Sequence, residues 1–174
     1  MRAARPEIQI RTAIADDAPL VLAFIRELAA YERLSDEVIA TEDDLRRTLF
    51  GEPAHAGCRI AEIDGRPAGF ALFFFSYSTF LGRPGLYLED LFVRPEFRGR
   101  GVGRTVLSDL ARIAVERGCG RMEWSVLDWN EPALGFYRRL GAVKMDGWTV
   151  HRLAGDALLR VARGDDVQGP ETAS

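Results

Sequence analysis

The segment that most constrains this chain is a glycine-rich loop, Arg98-Gly99-Arg100-Gly101-Val102-Gly103. It stands between a predicted strand, Gly85 to Val93, and a predicted helix, Arg104 to Glu116. Glycines let the backbone approach a ligand closely and point successive N–H groups at it, and the helix dipole adds partial positive charge there. We therefore predict that the loop holds a phosphate-bearing ligand.

The glycine spacing separates this loop from two common nucleotide motifs. The dinucleotide fingerprint GxGxxG needs a glycine where Arg104 stands, and the loop lacks the GK[ST] of a Walker motif. A glycine loop alone is weak evidence for a particular ligand, so its surroundings in the sequence decide more.

The surroundings predict an α/β domain. A strand, Met122 to Val126, follows the helix, so the loop lies in a βαβ unit whose two strands run parallel. Turns at Asp64-Gly65 and Asp146-Gly147 each predict a hairpin. The seven predicted strands are Ile8–Thr12, Cys58–Ile63, Gly69–Ser76, Gly85–Val93, Met122–Val126, Val143–Met145 and Trp148–Leu153. The four predicted helices run from Asp16 or Asp17 through Tyr31, Thr41–Leu49, Arg104–Glu116 and Glu131–Leu140.

Composition predicts one soluble domain in residues 1–162, with a disordered tail in residues 163–174. The apolar runs are too short for a spanning helix, and the N-terminus lacks the apolar core of a secretory signal, so we expect a cytoplasmic protein without membrane partners. Cys58 and Cys119 lie far apart in the sequence, and there is neither a CxxC pair nor a histidine cluster to supply the ligands of a zinc site, so we expect no metal.

Charge is distributed unevenly along the chain. From Glu27 to Asp44 there are seven acids and one base, whereas from Arg98 to Arg121 there are six bases and two acids. The first stretch suits a cationic ligand and the second a phosphate-rich one. Both are equally compatible with solvated helix faces.

Longer runs around the loop resemble a known family. Tyr87 to Gly103 resembles the central motif of the GNAT acetyltransferases, [RQ]xxGx[GA], with Arg98, Gly101 and Gly103 in its fixed places. Leu127 to Ala133 and Phe136 to Ala142 look like the second signature of that family. Ile25 to Glu32 resembles the first helix of its diamine (spermidine/spermine) branch. The resemblance covers roughly Ile8 to Leu159.

The resemblance implies a fold and a co-substrate. The fold would be a single GNAT-type domain with a mixed, mostly antiparallel sheet of about seven strands flanked by helices, whose central parallel pair splays into a cofactor cleft. The co-substrate would be acetyl-CoA, without a metal. The residues that the resemblance assigns to it are Leu91, Phe92, Val93, Arg98, Gly99, Arg100, Gly101, Val102, Gly103, Arg104 and Asn130. Leu91 to Val93 are also compatible with strand core, and Asn130 with a helix N-cap.

The family's chemistry implies roles for two further residues. A lysine-like ammonium must lose a proton before it can attack a thioester, and the thiolate that leaves must gain one. Tyr137 stands at the position of the family's general acid. A carboxylate in an otherwise apolar strand is costly unless it is used or paired, so a structural ion pair is one interpretation of Glu89. The resemblance to the diamine branch implies instead that Glu89 accepts the amine proton through water. Asp90, predicted on the opposite face of the strand, is the alternative.

The acceptor is less well defined than the donor. Tyr31 and Glu32 match the amine-binding pair of the diamine branch, and Asp90 is a third candidate. Phe80 stands where members of that branch carry tryptophan, and Leu127-Asp128-Trp129-Asn130 resembles members that prefer thialysine-like amino acids. The acceptor is therefore predicted to be a short diamine, a polyamine or a lysine-like amino acid, with no nucleic acid partner. The resemblance also implies a homodimer.

A second class of function fits the same residues. A GNAT-like module could bind acyl-CoA as a sensor without turnover. Tyr137 and Glu89 beside an intact loop favour the enzyme.

Overall fold

A computed structural model of the chain describes residues 7–165. The chain divides into two compact units, one ending at Leu127 and the other beginning at Asp128. The first unit contains the strands β1 to β5 and the helices α1 to α3, and the second contains α4 and α5. The strands are Ile8–Thr12, Gly57–Ile63, Arg66–Ser78, Arg83–Val93 and Met122–Trp124, and the helices are Ala18–Glu32, Glu42–Thr48, Val102–Glu116, Glu131–Arg139 and Gly155–Arg163.

The five strands form one sheet in the order β1-β2-β3-β4-β5. Neighbouring strands are antiparallel except β4 and β5, which are parallel and align Leu86 with Met122 and Leu88 with Trp124. The predicted βαβ unit is confirmed by this pairing. Because α3 connects the two parallel strands, the glycine loop lies at the carboxyl end of β4.

The hairpins of the sheet follow from their turns. Asp64 and Gly65 both have positive φ, 52° and 70°, as the turn predicted between β2 and β3 requires. The next hairpin is longer than predicted, because Tyr77 pairs with Pro84 and Ser78 with Arg83. Its loop therefore contains only residues 79–82 rather than Tyr77 to Pro84.

The face of the sheet against α1 carries an aromatic core. The ring of Phe24 in α1 stacks on Phe70 of β3 at a centroid distance of 5.3 Å. It meets Phe92 of β4 edge-on at 6.5 Å. Phe70 and Phe92 are opposite each other in the strand register. Helix α1 thus packs on β3 and on β4, the strand that leads into the glycine loop.

Helix α3 packs on the opposite face. Ala71 follows Phe70 and points away from α1, since successive strand residues alternate between faces. Its register partner Arg59 forms an ion pair with Asp109 of α3, with 2.7 Å between Nε and Oδ2. The glycine loop therefore connects β4 to α3, and the ion pair with β2 holds α3 on the face of the sheet opposite α1.

The prediction of seven strands is wrong for the described residues, which contain five. A turn forms at Asp146-Gly147, but no strand forms on either side of it between residues 141 and 154. Val143, Trp148 and Val150 are more than three-quarters exposed. A two-stranded hairpin is marginal without a sheet to join or a face to bury.

Two helix predictions also need correction, and one helix was missed. Asp17 precedes α1, but its carboxylate accepts the N–H of Ile14 and pairs with Arg11 instead of capping α1. Helix α3 begins at Val102, two residues before the predicted Arg104. Helix α5 was not predicted. Residues 166–174 of the predicted tail lie outside the described residues.

Within residues 7–165, no helix combines the length and the apolar character that a membrane crossing requires.

Candidate functional site

The carboxyl-terminal half of β4 has a strand neighbour on one side only. The parallel pairing with β5 ends where Leu88 meets Trp124. Pairing with β3 continues on the other side as far as Val93. Within the described part of the first unit, no strand covers the second edge of Glu89 to Val93. Such an edge presents backbone N–H and C=O groups to an extended ligand.

A β-bulge interrupts β4 at Glu89. Leu88 is opposite Phe73 and Asp90 is opposite Leu72, so Glu89 is the extra residue with no register partner in β3. Bulges bend a strand and re-aim its side chains. Regular alternation would place Glu89 and Asp90 on opposite faces, and the bulge breaks that alternation at this point. The side chain of Glu89 is exposed, whereas Asp90 is half-buried.

Three carboxyl groups interact around this bulge. Burial raises the pKa of Asp90 to about 6, with further contributions from the negative charges of Glu89 and Glu32. Glu32 is the last residue of α1, and burial raises its pKa as well. The structure therefore brings together Glu89, Asp90 and Glu32, which were candidates from separate segments of the sequence. Such a cluster suits a cation, because a positive charge relieves the repulsion among the three.

The loop has the geometry of an anion site. Gly99 and Gly101 have positive φ, 72° and 94°. Gly101 is the N-cap of α3, and no side chain caps the helix there. The N–H groups of the first turn of α3, those of Val102, Gly103 and Arg104, have no acceptor within the helix. Arg98, Arg100 and Arg104 are all exposed beside them. These residues fit a pyrophosphate.

Arg98 also joins the loop to α1. Its Nε donates to the carbonyl oxygen of Val93 at 2.9 Å. Its guanidinium carbon lies 4.7 Å from the ring centroid of Tyr31 and 5.7 Å from that of Phe92. Arg98 and Tyr31 were predicted for different ligands, and the structure places them in contact.

Some predicted cofactor residues are also core residues. Phe92 and Val102 are buried, and Leu91 and Val93 are half-buried. A ligand that pairs with β4 as an added strand would use the backbone of these residues rather than their side chains. Their core packing is therefore compatible with the predicted role.

The second unit contains the other two predicted residues. Asn130 is the N-cap of α4, where its Oδ1 accepts the N–H of Ala133 at 3.3 Å. Tyr137 lies in α4 and is half-buried, with its ring 5.3 Å from that of Phe136. The alternative interpretation of Asn130 as a helix cap is thus confirmed. Its contact with the cofactor stays a prediction.

An ion pair between α1 and the end of β4 was not predicted from the sequence. Arg94 binds both carboxylate oxygens of Glu27, at 2.8 and 2.9 Å, and its guanidinium carbon lies 4.6 Å from the ring centroid of Phe24. One signal could have found it. Phe24, Glu27 and Tyr31 are spaced to share one helix face, on which an acid needs a partner.

Comparison with known proteins agrees with this arrangement. The model of the acetyltransferase (GNAT) family matches residues 22–142. Thialysine N-epsilon-acetyltransferase of Bos taurus is 40% identical over 166 residues, which cover 89% of this chain and 97% of that protein. L-ornithine N5-acetyltransferase of Arabidopsis thaliana is 32% identical over 195 aligned positions and 86% of each chain.

A solved structure shares the fold. An integron cassette protein from the mobile metagenome of V. cholerae superposes with a TM-score of 0.76 at 25% identity, covering 90% of this chain and 98% of that one. The family match spans the bulged strand, the glycine loop and Tyr137. The chain belongs to the acetyltransferase (GNAT) family and is an N-acetyltransferase.

Proposed function

We propose that this enzyme transfers the acetyl group of acetyl-CoA to the primary amine of a small cationic acceptor, by direct attack within a ternary complex. The observation that carries the proposal is the position of the bulge at Glu89. Glu89 and Asp90 lie there, at the start of the uncovered strand edge, and Asp90 is within the electrostatic influence of Glu32. The same strand leads into the glycine loop.

The donor would be bound by two features of the first unit. The N–H groups of Gly99 to Arg104 would hold the pyrophosphate, with Arg98, Arg100 and Arg104 supplying charge. The backbone of Leu91, Phe92 and Val93 would pair with the pantetheine arm along the uncovered edge. One of these N–H groups would polarise the thioester carbonyl. The donor supplies the activated acetyl group.

The acceptor would be bound as a cation. Burial raises the pKa values of Glu32 and Asp90, and an ammonium group beside them would favour their ionised forms. Tyr31 lies one residue before Glu32 at the end of α1. The relatives named for thialysine and L-ornithine support an acceptor that is a lysine-like amino acid, alongside diamines and polyamines.

Two proton transfers complete the reaction. Glu89 would accept a proton from the bound ammonium through water, which frees the nitrogen lone pair for the thioester carbon. As the C–N bond forms and the C–S bond breaks, Tyr137 would give its proton to the thiolate. The second proton that the attacking nitrogen loses would pass through water and restore the tyrosine hydroxyl, while Glu89 would release its proton to solvent. Asp90 remains an alternative base because its pKa of about 6 lies near the operating pH.

Initial-velocity measurements test the ternary complex. Acetyl-CoA and thialysine are varied against each other, and double-reciprocal plots are expected to intersect. Parallel lines would indicate a covalent acetyl-enzyme and would contradict direct attack. Putrescine and spermidine, measured in the same way, rank the acceptor classes by kcat/KM.

A further inference from the structure

We propose that Arg98 is a positioning residue that couples donor binding to acceptor binding through its contact with Tyr31. The proposal rests on the proposed function and adds a connection between its two ligand sites. One side chain in the donor loop would influence how tightly the amine is held.

The contacts of Arg98 reach both sites. It is the first residue of the loop, so its backbone continues directly into Gly99 and the anion-binding turn. Its Nε is fixed by the carbonyl oxygen of Val93. The planar guanidinium lies over the ring of Tyr31, with 4.7 Å between Cζ and the ring centroid. A donor that orders the loop therefore restrains the group that packs on Tyr31.

Arg94, four residues before Arg98, contacts the same face of α1 that carries Tyr31. Arg94 pairs with Glu27 and covers Phe24, whose ring meets Phe92 edge-on. Arg98 in turn contacts Phe92. The amino-terminal part of this face is thus anchored by an ion pair and by aromatic packing. Its carboxyl-terminal end, with Tyr31 and Glu32, is connected to the loop by the Arg98 contact.

The contact between Arg98 and Tyr31 is weak enough for a bound ligand to strengthen it. Arg98 is exposed, and an exposed cation–π contact contributes little free energy, so the contact with Tyr31 is weak by itself. A donor whose phosphates restrain Arg98 in the stacked position would favour one arrangement of Tyr31. By linkage, the acceptor would then raise the affinity for the donor by the same factor.

The experiment is a calorimetric measurement of the thialysine dissociation constant, with and without saturating desulfo-CoA, which cannot react. For the wild-type enzyme the donor analogue is expected to tighten thialysine binding by about fivefold. Arg98→Lys keeps the charge and loses the planar guanidinium, and we expect its ratio to fall to about one. Tyr31→Leu should give the same loss, measured from the desulfo-CoA side if thialysine binds too weakly.

The matched control is Arg100→Lys. This arginine stands in the same loop but lies over Phe97 rather than Tyr31, so its donor affinity can change while the wild-type ratio is retained. The double variant of Arg98 and Tyr31 should lose no more coupling than either single variant. An unchanged ratio in Arg98→Lys, or equal losses in Arg98→Lys and Arg100→Lys, would overturn the proposal.

Turnover assays separate this failure from failure of the proposed function. If the wild-type enzyme acetylates thialysine but the donor analogue leaves thialysine affinity unchanged, the coupling alone is refuted. If acetyl transfer to every amine tested is absent, both proposals fail.

Discussion

The carboxyl group of Asp90, in the bulged strand β4, lies within the electrostatic influence of Glu32 at the end of α1. Burial raises the pKa of Asp90 to about 6, and the charges of Glu89 and Glu32 add to this effect. Two segments separated by 58 positions in the numbering thus form one acidic surface. Its protonation state is expected to control the affinity for a cationic acceptor.

The pH dependence of acceptor binding follows from this pair. Below about pH 6, Asp90 gains a proton and loses its attraction for an ammonium group, so the thialysine dissociation constant should rise as the pH falls. Glu32→Gln removes one negative charge, which lowers the pKa of Asp90 and moves the transition to lower pH. Calorimetry between pH 5 and 8, in intervals of about half a unit, measures this shift. Glu37→Gln, at an exposed position in the 3-10 turn after α1, should leave the transition in place.

Asp90 is expected to lower stability at neutral pH. Its folded pKa of about 6 exceeds the ordinary value of 3.8, so the folded state favours the protonated carboxyl. The resulting stability is complete below pH 4 and is lost as the pH rises through 6. Asp90→Asn should therefore raise the free energy of unfolding by about 2 kcal/mol at pH 7.5 and change it little at pH 3.5.

Urea denaturation at the two pH values measures the effect. The exposed Asp36→Asn is the control and should leave stability unchanged at both. Equal stabilisation by Asp90→Asn at pH 3.5 and 7.5 would mean that the charge of Asp90 is not its cause.

The conformation of Gly101 makes a prediction for the donor site. Its φ of 94° is unfavourable for a residue with a Cβ, so Gly101→Ala should cost about 1–2 kcal/mol of stability or shift the turn. A shifted turn would misdirect the N–H groups at the start of α3. We expect acetyl-CoA to bind about tenfold more weakly, as measured by calorimetry.

Gly82→Ala is the matched control for this strain. Gly82 also has positive φ, 61°, and has no atom within 4 Å of an added Cβ. It lies in the β3–β4 loop, so stability should fall by a similar amount while acetyl-CoA affinity stays the same. Equal donor affinity in both variants would remove Gly101 from the binding site.

The proposed proton donor makes a kinetic prediction. Tyr137→Phe removes one hydroxyl and keeps the ring that lies near Phe136. The turnover number should fall about 100-fold or more, as for loss of a general acid, while the dissociation constant of acetyl-CoA stays nearly unchanged. Stopped-time assays with saturating thialysine measure the turnover number. An unaltered rate would exclude Tyr137 from this role, and Tyr77→Phe serves as a control for loss of an exposed tyrosine hydroxyl.

Local patterns predicted most of the first unit. Alternation predicted β1, the Asp64-Gly65 turn predicted the hairpin of β2 and β3, and the position of the glycine loop predicted the parallel pair. The bulge at Glu89 was missed because it is a shift of register between β4 and β3, which the sequence of β4 alone does not show. The periodicity of the sequence likewise does not indicate that the two units meet between Leu127 and Asp128 along the chain.

The sequence did not predict that the carboxyl groups of the acidic cluster lie close together. Glu32 and Asp90 could each be selected from their segments, but their mutual repulsion needed the packing of α1 on β4. The same holds for Arg98 and Tyr31. A homodimer, a cytoplasmic location and the absence of nucleic acid or membrane partners stay predictions.

One measurement tests the central claim most directly. The enzyme is incubated with acetyl-CoA and thialysine, and the concentration of free thiol is followed over time. The mass of the acetylated amine is determined by mass spectrometry. We predict that thiol release depends on the amine and that the product gains one acetyl group for each thiol released. Binding of acetyl-CoA without release on thialysine, putrescine, spermidine or lysine would contradict an acetyl-CoA-dependent transferase and favour the acyl-CoA sensor.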